Sequence, residues 1–145
     1  MNDNAKTPGA GAAASASDIL LAGNILVDIV KNIDCYPEIG MLASITSVKQ
    51  AVGGCVTNTG IDLAKMDPAL KLGAIGKVGL DAYGDYAVEQ MNLHGIDTSR
   101  VRRSETAPTS FSDVMSQPSG ERTFFHARGA NAEFGPADVD LTGLN

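Results

Sequence analysis

The sequence lacks an excess of positive charge, an apolar run long enough to span a bilayer, and any cysteine pattern of a metal site or disulfide framework. Eleven lysines and arginines stand against seventeen aspartates and glutamates, a formal charge of −6. A surface for nucleic acid or an anionic membrane needs a basic patch to neutralise phosphates. The best cluster here, Arg100, Arg102 and Arg103, is too small, so neither partner is expected. The longest apolar run, "ILLAGNILVDIV" at 19–30, is too short for a membrane helix and carries Asp28. Cys35 and Cys55 form no CxxC and have no companion histidines at ligand spacing, so they are expected to be reduced, buried thiols of a cytoplasmic protein, with no metal site. The opening "MNDNAKTPGAGAAASASD" has no basic start joined to an apolar stretch and a cleavage site, which argues against a signal peptide. Its Gly, Ala and Ser content predicts a disordered tail over residues 1–17.

What remains is 145 residues, 43% of them hydrophobic, enough for one globular domain or part of a larger one. Residues 19–30 are apolar on both faces, as in a central strand of a parallel sheet covered by helices. That strand is expected to end near Asp28. Pro37 and Gly40 mark a turn, and "SITSVKQAV" has β-branched residues near period two, which predicts a strand of a separate, smaller sheet. "TNTGIDLAKM" places Ile61, Leu63, Ala64 and Met66 on one helical face, with Pro68 as the stop. "ALKLGAIGKVG" reads as a short buried strand and loop, and "DAYGDYAVEQMNLHG" as a helix closed by Gly95. Strand, helix, strand, helix order implies an α/β doubly wound sheet. Residues 100–128 alternate around a "PSGE" turn and read as a hairpin, after which "FGPADVDLTGLN" begins a Pro-initiated helix. The sheet would then have only about three parallel strands.

Two glycine patterns look like cofactor motifs and are not. "GAIGKVG" lacks the Ser or Thr that must follow the lysine of a phosphate loop, since Val78 follows Lys77. "GGCVTN" is not the dinucleotide fingerprint. The histidines have no nucleophile or acid at a diagnostic spacing, and His94 is most simply a favourable charge at a helix end. Three features do converge on a crevice. Asp28 is expected at the carboxyl end of the first strand, where ligands of open α/β sheets bind. Gly53 and Gly54 precede a helix whose first N–H groups are available to an acceptor oxygen. Asn58, on that helix's first turn, can both donate and accept. Together they suit a polyol: the carboxylate accepts from two hydroxyls and the amide bridges a third. Spacing alone leaves open that Asp28 solubilises a strand end and Asn58 caps the helix.

Taken together, "GNILVDIV", "AVGGCVTNTGIDLAKM", "GKVGLDAYGD", "GIDTSRV", "APTSF" and "SGERTFFHARGAN" make the chain resemble the amino-terminal half of a ribokinase-like (PfkB family) carbohydrate kinase over about residues 19–140. The resemblance implies an α/β, ribokinase-like three-layer sandwich, here partial, with a small β-sheet lid formed by about 31–52 and 107–128. Residues 18–145 would be the amino-terminal part of that domain. It implies transfer of the ATP γ-phosphate, with Mg2+, to a sugar hydroxyl. Asp28 and Asn58 would hydrogen-bond the sugar, with Gly53 and Gly54 giving it room. The lid implies a homodimer. Where ribose kinases carry an asparagine two residues before the aspartate this chain has Leu26, so the resemblance does not specify ribose. The family's Gly-Ala-Gly-Asp signature, which supplies the anion hole and the catalytic base, has no counterpart in these residues, nor does most of the ATP site. No catalytic residue is therefore assigned, and the chain is expected to be inactive without a carboxyl-terminal half. The alternative is a non-catalytic sugar-binding or oligomerising module.

Overall fold

The computed structural model describes residues 16–142 and Leu144. The tail expected over 1–17 lies outside them up to residue 15. At its end Ser17 is buried and bridges Leu144 in parallel, so that residue is part of the fold.

Strand β1 (Ile19–Ala22) pairs in parallel with β4 (Leu72–Gly79), which pairs in parallel with β5 (Asp97–Ser104). This is the three-stranded parallel sheet that the sequence pattern predicts, in the order β1-β4-β5. A second sheet has the order β3-β2-β6-β7 and joins β2 (Leu26–Ile33), β3 (Ile45–Gly53), β6 (Phe111–Ser116) and β7 (Arg122–Ala127). Helix α1 (Cys55–Met66) follows β3, and α2 (Ala82–Leu93) links β4 to β5. Both helices pack on one face of the parallel sheet. Val56 of α1 and Ala87 and Met91 of α2 share a core with Leu72, Ala74 and Val78.

The run 19–30 is not one strand. It breaks at Gly23–Ile25 and divides between the two sheets. Apolar pattern could not reveal the break, because Ile25 and Val27 are as buried as the residues of a continuous strand would be. Asp28 consequently does not end the first strand; it is the third residue of β2, in the second sheet. The hairpin is confined to β6 and β7. Residues 100–104 belong to β5, where Val101 faces the helices and Arg100 is buried on the other side. The charges of "RVRRS" disguise a strand that pairs with β4. Met66 is exposed rather than on the packed face of α1, and both cysteines are exposed rather than buried. Gly95, at φ 73°, closes α2 as expected, and the Pro-initiated segment is a single 3-10 turn, Pro136–Asp138. Among the described residues no helix is long and apolar enough to cross a membrane.

Candidate functional site

Strand β2 leaves the break at Gly23–Ile25 and runs antiparallel to β3, with Asp28 opposite Ala51 and Leu26 opposite Gly53. Two residues past β2's start, the Asp28 carboxylate reaches back over Gly53. A Cβ at Gly53 would collide with Asp28 Oδ2 and would lie 2.8 Å from Leu26 Cδ1. Gly53 is thus glycine because the carboxylate occupies the space above it. Among the described residues, that carboxylate has no hydrogen-bond or ion-pair partner.

Gly54 is the N-cap of α1 at φ 94°, a conformation that side chains rarely adopt. A Cβ here would collide with Asn24 O and lie 3.2 Å from Ile25 Cα. The space at Gly54 is already filled by the crossover from β1 to β2. The two glycines therefore have different causes: one admits a side chain that could hold a ligand, the other a backbone crossing. Helix α1 starts with no side-chain cap and no acidic residue in its first turn, so its positive end is not neutralised from within the helix. Thr57 turns its hydroxyl inward to the carbonyl of Gly54 at 3.2 Å and is fully buried. Asn58, the next residue, uses its backbone N–H on Gly54 O (3.0 Å) and leaves its carboxamide exposed. It does not cap the helix. Asp28, Gly53 and Gly54 thus meet at the start of α1, and Asn58 lies on that helix's first turn with its side chain exposed.

The family model for pfkB carbohydrate kinases matches residues 19–142. The chain belongs to that family. It is 31% identical over 122 residues to an ATP-dependent ribose-1-phosphate kinase of Halopiger xanaduensis, covering 84% of this chain and 40% of the relative. To a probable fructokinase-7 of Arabidopsis thaliana it is 28% identical, over 79% of this chain and 32% of the relative. Among solved structures, the ribokinase of Thermotoga maritima superposes with a TM-score of 0.76 at 24% identity, covering 86% of this chain and 40% of that one. The Giardia lamblia ribokinase gives 0.77 at 24%, over 85% and 39%. The fold is that of the ribokinase-like kinases, and the chain spans 32–40% of the length of these relatives. The four-stranded sheet draws on residues 31–52 and 107–128, the segments that the resemblance implies for a lid, and also takes in the start of β2 from Leu26.

Two further motif residues of this pfkB chain, Asp81 and Asn131, hold the elements around the site together. In "GLDAYGD", Asp81 caps α2 through the Gly84 N–H at 2.9 Å and also takes the Thr109 N–H at 2.7 Å and its hydroxyl at 2.6 Å. The end of β4, the start of α2 and the approach to β6 are tied by one carboxylate. Burial pushes the Asp81 carboxyl up, but the hydrogen bonds from Thr109 and Gly84 and the nearby Arg103 outweigh it and hold it below its ordinary value. In "RGAN", the Asn131 carboxamide accepts from Ile25 N–H at 3.3 Å and donates to Ile25 O at 3.1 Å. It pins the crossover that positions Asp28. An Asp at a helix start signals the first; no local signal announces the second, whose partner lies 106 residues away.

No group of three or more His, Cys, Asp or Glu that could hold a metal ion occurs among the described residues. No step of phosphoryl transfer is assigned to them.

Proposed function

We propose that this chain is the acceptor-sugar half of an ATP-dependent carbohydrate kinase. The observation that carries it is the unpartnered Asp28 carboxylate lying over Gly53 at the uncapped entrance of α1. A carboxylate with no donor partner among the described residues is a ready acceptor for vicinal hydroxyls, and hydrogen bonds to a charged acceptor are the stronger kind. The exposed Asn58 amide supplies a donor and an acceptor for a further hydroxyl. Asn131, through Ile25, fixes the crossover from which Asp28 is aimed. The chemistry of transfer needs a base and a charge-stabilising anion hole; in this reading they come with ATP and Mg2+ from a carboxyl-terminal half, and the chain alone is inactive. Which sugar is accepted is left to the binding experiment.

A second role is supported by the lid sheet. Its tip exposes Ile39, Met41 and Leu42, and its outer face exposes Val48 and Phe125. Exposed apolar side chains of this kind suit association, and the proposal includes a homodimer through the lid.

The test is direct binding of a panel of pentoses, hexoses and nucleosides to the 145-residue chain, by calorimetry. At least one sugar should bind, and Asp28→Ala should weaken it by about 2–3 kcal/mol, roughly 30- to 150-fold, the range for losing hydrogen bonds to a charged group. Unchanged affinity in the variant would return Asp28 to a mere surface carboxylate.

A further inference from the structure

The face of the parallel sheet turned away from α1 and α2 carries three cations. Lys77 of β4 is paired with Arg102 of β5, and Ile75 with Arg100, and paired residues share a face. The cover over this face, residues 129–142, carries three acids, Glu133, Asp138 and Asp140. Two of the cations are matched. Lys77 Nζ lies 3.3 Å from Asp138 Oδ1 and 4.0 Å from Glu133 Oε2, and Arg102 Nε lies 3.8 Å from the same Asp138 oxygen. Arg100 is not matched. It is 8% exposed and its Nη2 donates to the Thr142 carbonyl, while Nε and Nη1 are buried with no hydrogen-bond partner among the described residues. Asp97 Oδ2 stands 4.0 Å from Nη1, beyond hydrogen-bond reach.

A guanidinium does not deprotonate in a protein, and a buried charge with unfilled donors is costly until an acceptor reaches it. The acid able to do so is in the cover itself. Asp140 is exposed, and among the described residues its carboxylate accepts only from the Thr142 N–H, at 3.0 Å, the residue whose carbonyl sits on Arg100. The hydrogen bonds from Thr142 come first in holding the Asp140 carboxyl below its ordinary value, and the charges of Arg100 and Arg102 add to them, so the carboxylate already lies in the field of the buried arginine. The spacing also matches. Arg100 and Arg102 are two apart on β5, Asp138 and Asp140 are two apart on the cover, and Asp138 is on Arg102. With Asp138 held there, a turn of the short link 139–141 brings Asp140 onto Arg100 in place of the Thr142 carbonyl. Little opposes that turn. Val139 and Leu141 are 36% and 58% exposed, and the hydrogen bonds of 139–142 other than the one to Arg100 stay within residues 136–144 among the described residues.

We propose that Arg100 and Asp140 form a latch: the cover has a closed state in which the Asp140 carboxylate leaves the Thr142 N–H and takes the side of the guanidinium presented by Nε and Nη2, displacing the Thr142 carbonyl. Asp97 stands at the Nη1 side, so the like-charged Asp140 closes from the other. Closing exchanges a neutral acceptor for a charged one at a buried cation, which is the stronger kind of hydrogen bond. Each of the three cations on this face then has an acid of the cover. Two residues beyond Thr142, Leu144 bridges Ser17 just before β1, so the latch also sets how the cover approaches the edge of the parallel sheet.

The experiment measures urea unfolding of the 145-residue chain as wild type, Asp140→Asn, Arg100→Met and the double variant. The carboxamide of Asp140→Asn can still accept from the Thr142 N–H, so the substitution keeps the open turn and removes only the charge. In the wild-type background it should lower the folding equilibrium constant on the order of 10-fold, the effect of losing hydrogen bonds to a charged group. In the Arg100→Met background it should have no effect. The coupling should persist at about 1 M salt, where exposed charges are screened within about 3 Å. A second readout leaves Arg100 untouched: the NMR signal of its Nε–H should lie downfield in wild type and move upfield in Asp140→Asn, and this decides the question if Arg100→Met does not fold. An Asp140→Asn chain as stable as wild type, a loss equally large without Arg100, a coupling abolished by salt, or an Nε–H signal that is the same in both proteins overturns the latch.

Discussion

Gly53 and Gly54 are adjacent in sequence, and their substitutions should behave differently. At Gly53 a methyl group meets the ends of two side chains, Asp28 and Leu26, which can rotate away. Gly53→Ala is expected to keep stability within about 1.5 kcal/mol, the cost of an off-rotamer side chain, while displacing the carboxylate and lowering sugar affinity. At Gly54 the obstacle is the backbone of Asn24 and Ile25, and φ is 94°. Gly54→Ala should lose at least about 2 kcal/mol, since strain at positive φ and a backbone clash combine. Denaturant midpoints of the two variants, measured beside their sugar affinities, check both statements; a Gly54 variant as stable as wild type would remove the packing account. The sequence alone marks the pair as a place where something comes close. It does not say that two different things do, because the crossover at Asn24 and the side chain of Asp28 reach these residues only through the tertiary path of β2. The four candidate site residues were legible as types in a motif. The hold of Asn131 on Ile25 was not, because its partner lies 106 residues away.

Two carboxyl and amide clamps hold the elements that carry the site. Asp81 gives up three hydrogen bonds in Asp81→Ala: the cap of α2 and two to Thr109. Loss of a helix cap costs about 1 kcal/mol, and the Thr109 bonds add to it, so a total near 2–3 kcal/mol is expected. The folded carboxyl lies below its ordinary value of 3.8, so the stability it contributes is fully present above that value and is lost as pH falls below it toward the folded one. Wild type should therefore lose more stability than Asp81→Asn on going from pH 6 to pH 3; parallel curves would show that the carboxylate is not the titrating support. Asn131→Ala would strand the buried N–H and carbonyl of Ile25, at about 1–3 kcal/mol for each unpaired group. It should lower the melting temperature and, by loosening the crossover, sugar affinity too. The helices were legible because caps and stops are local: Asp81, Gly95 and Pro68 each act within a turn of the element that they bound. Strands were less so. The break at Gly23–Ile25 and the charged strand β5 both follow from partners far along the chain, which periodicity does not encode.

At the scale of the whole molecule, the α-helices among the described residues cover one face of the parallel sheet. On the other, the segment 129–142 supplies the cover among the described residues: Lys77 meets Asp138 at 3.3 Å, and Ser104 and Thr106 donate to Glu133 at 2.7 Å each. Among the described residues strand β1 is an edge of its sheet, and just before it Ser17 bridges Leu144 in parallel. An open parallel edge presents unpaired backbone donors and acceptors, and parallel sheets are ordinarily covered on both faces. The chain is therefore expected to bind a complementary carboxyl-terminal half, and its activity should depend on one. Removing a single oxyanion-stabilising donor lowers rates on the order of 10²–10³-fold, and here neither the donor set nor the base is present among the assigned residues. Purified 1–145 with ATP, Mg2+ and each acceptor should release no sugar-dependent ADP. Mixed with the carboxyl-terminal half of a related pfkB kinase, it should do so for the acceptor that binds most tightly, and Asp28→Ala should abolish the turnover. Activity from 1–145 alone would refute the half-enzyme account. A mixture that binds sugar and shows no turnover would favour the non-catalytic module instead, with the exposed lid as its interface.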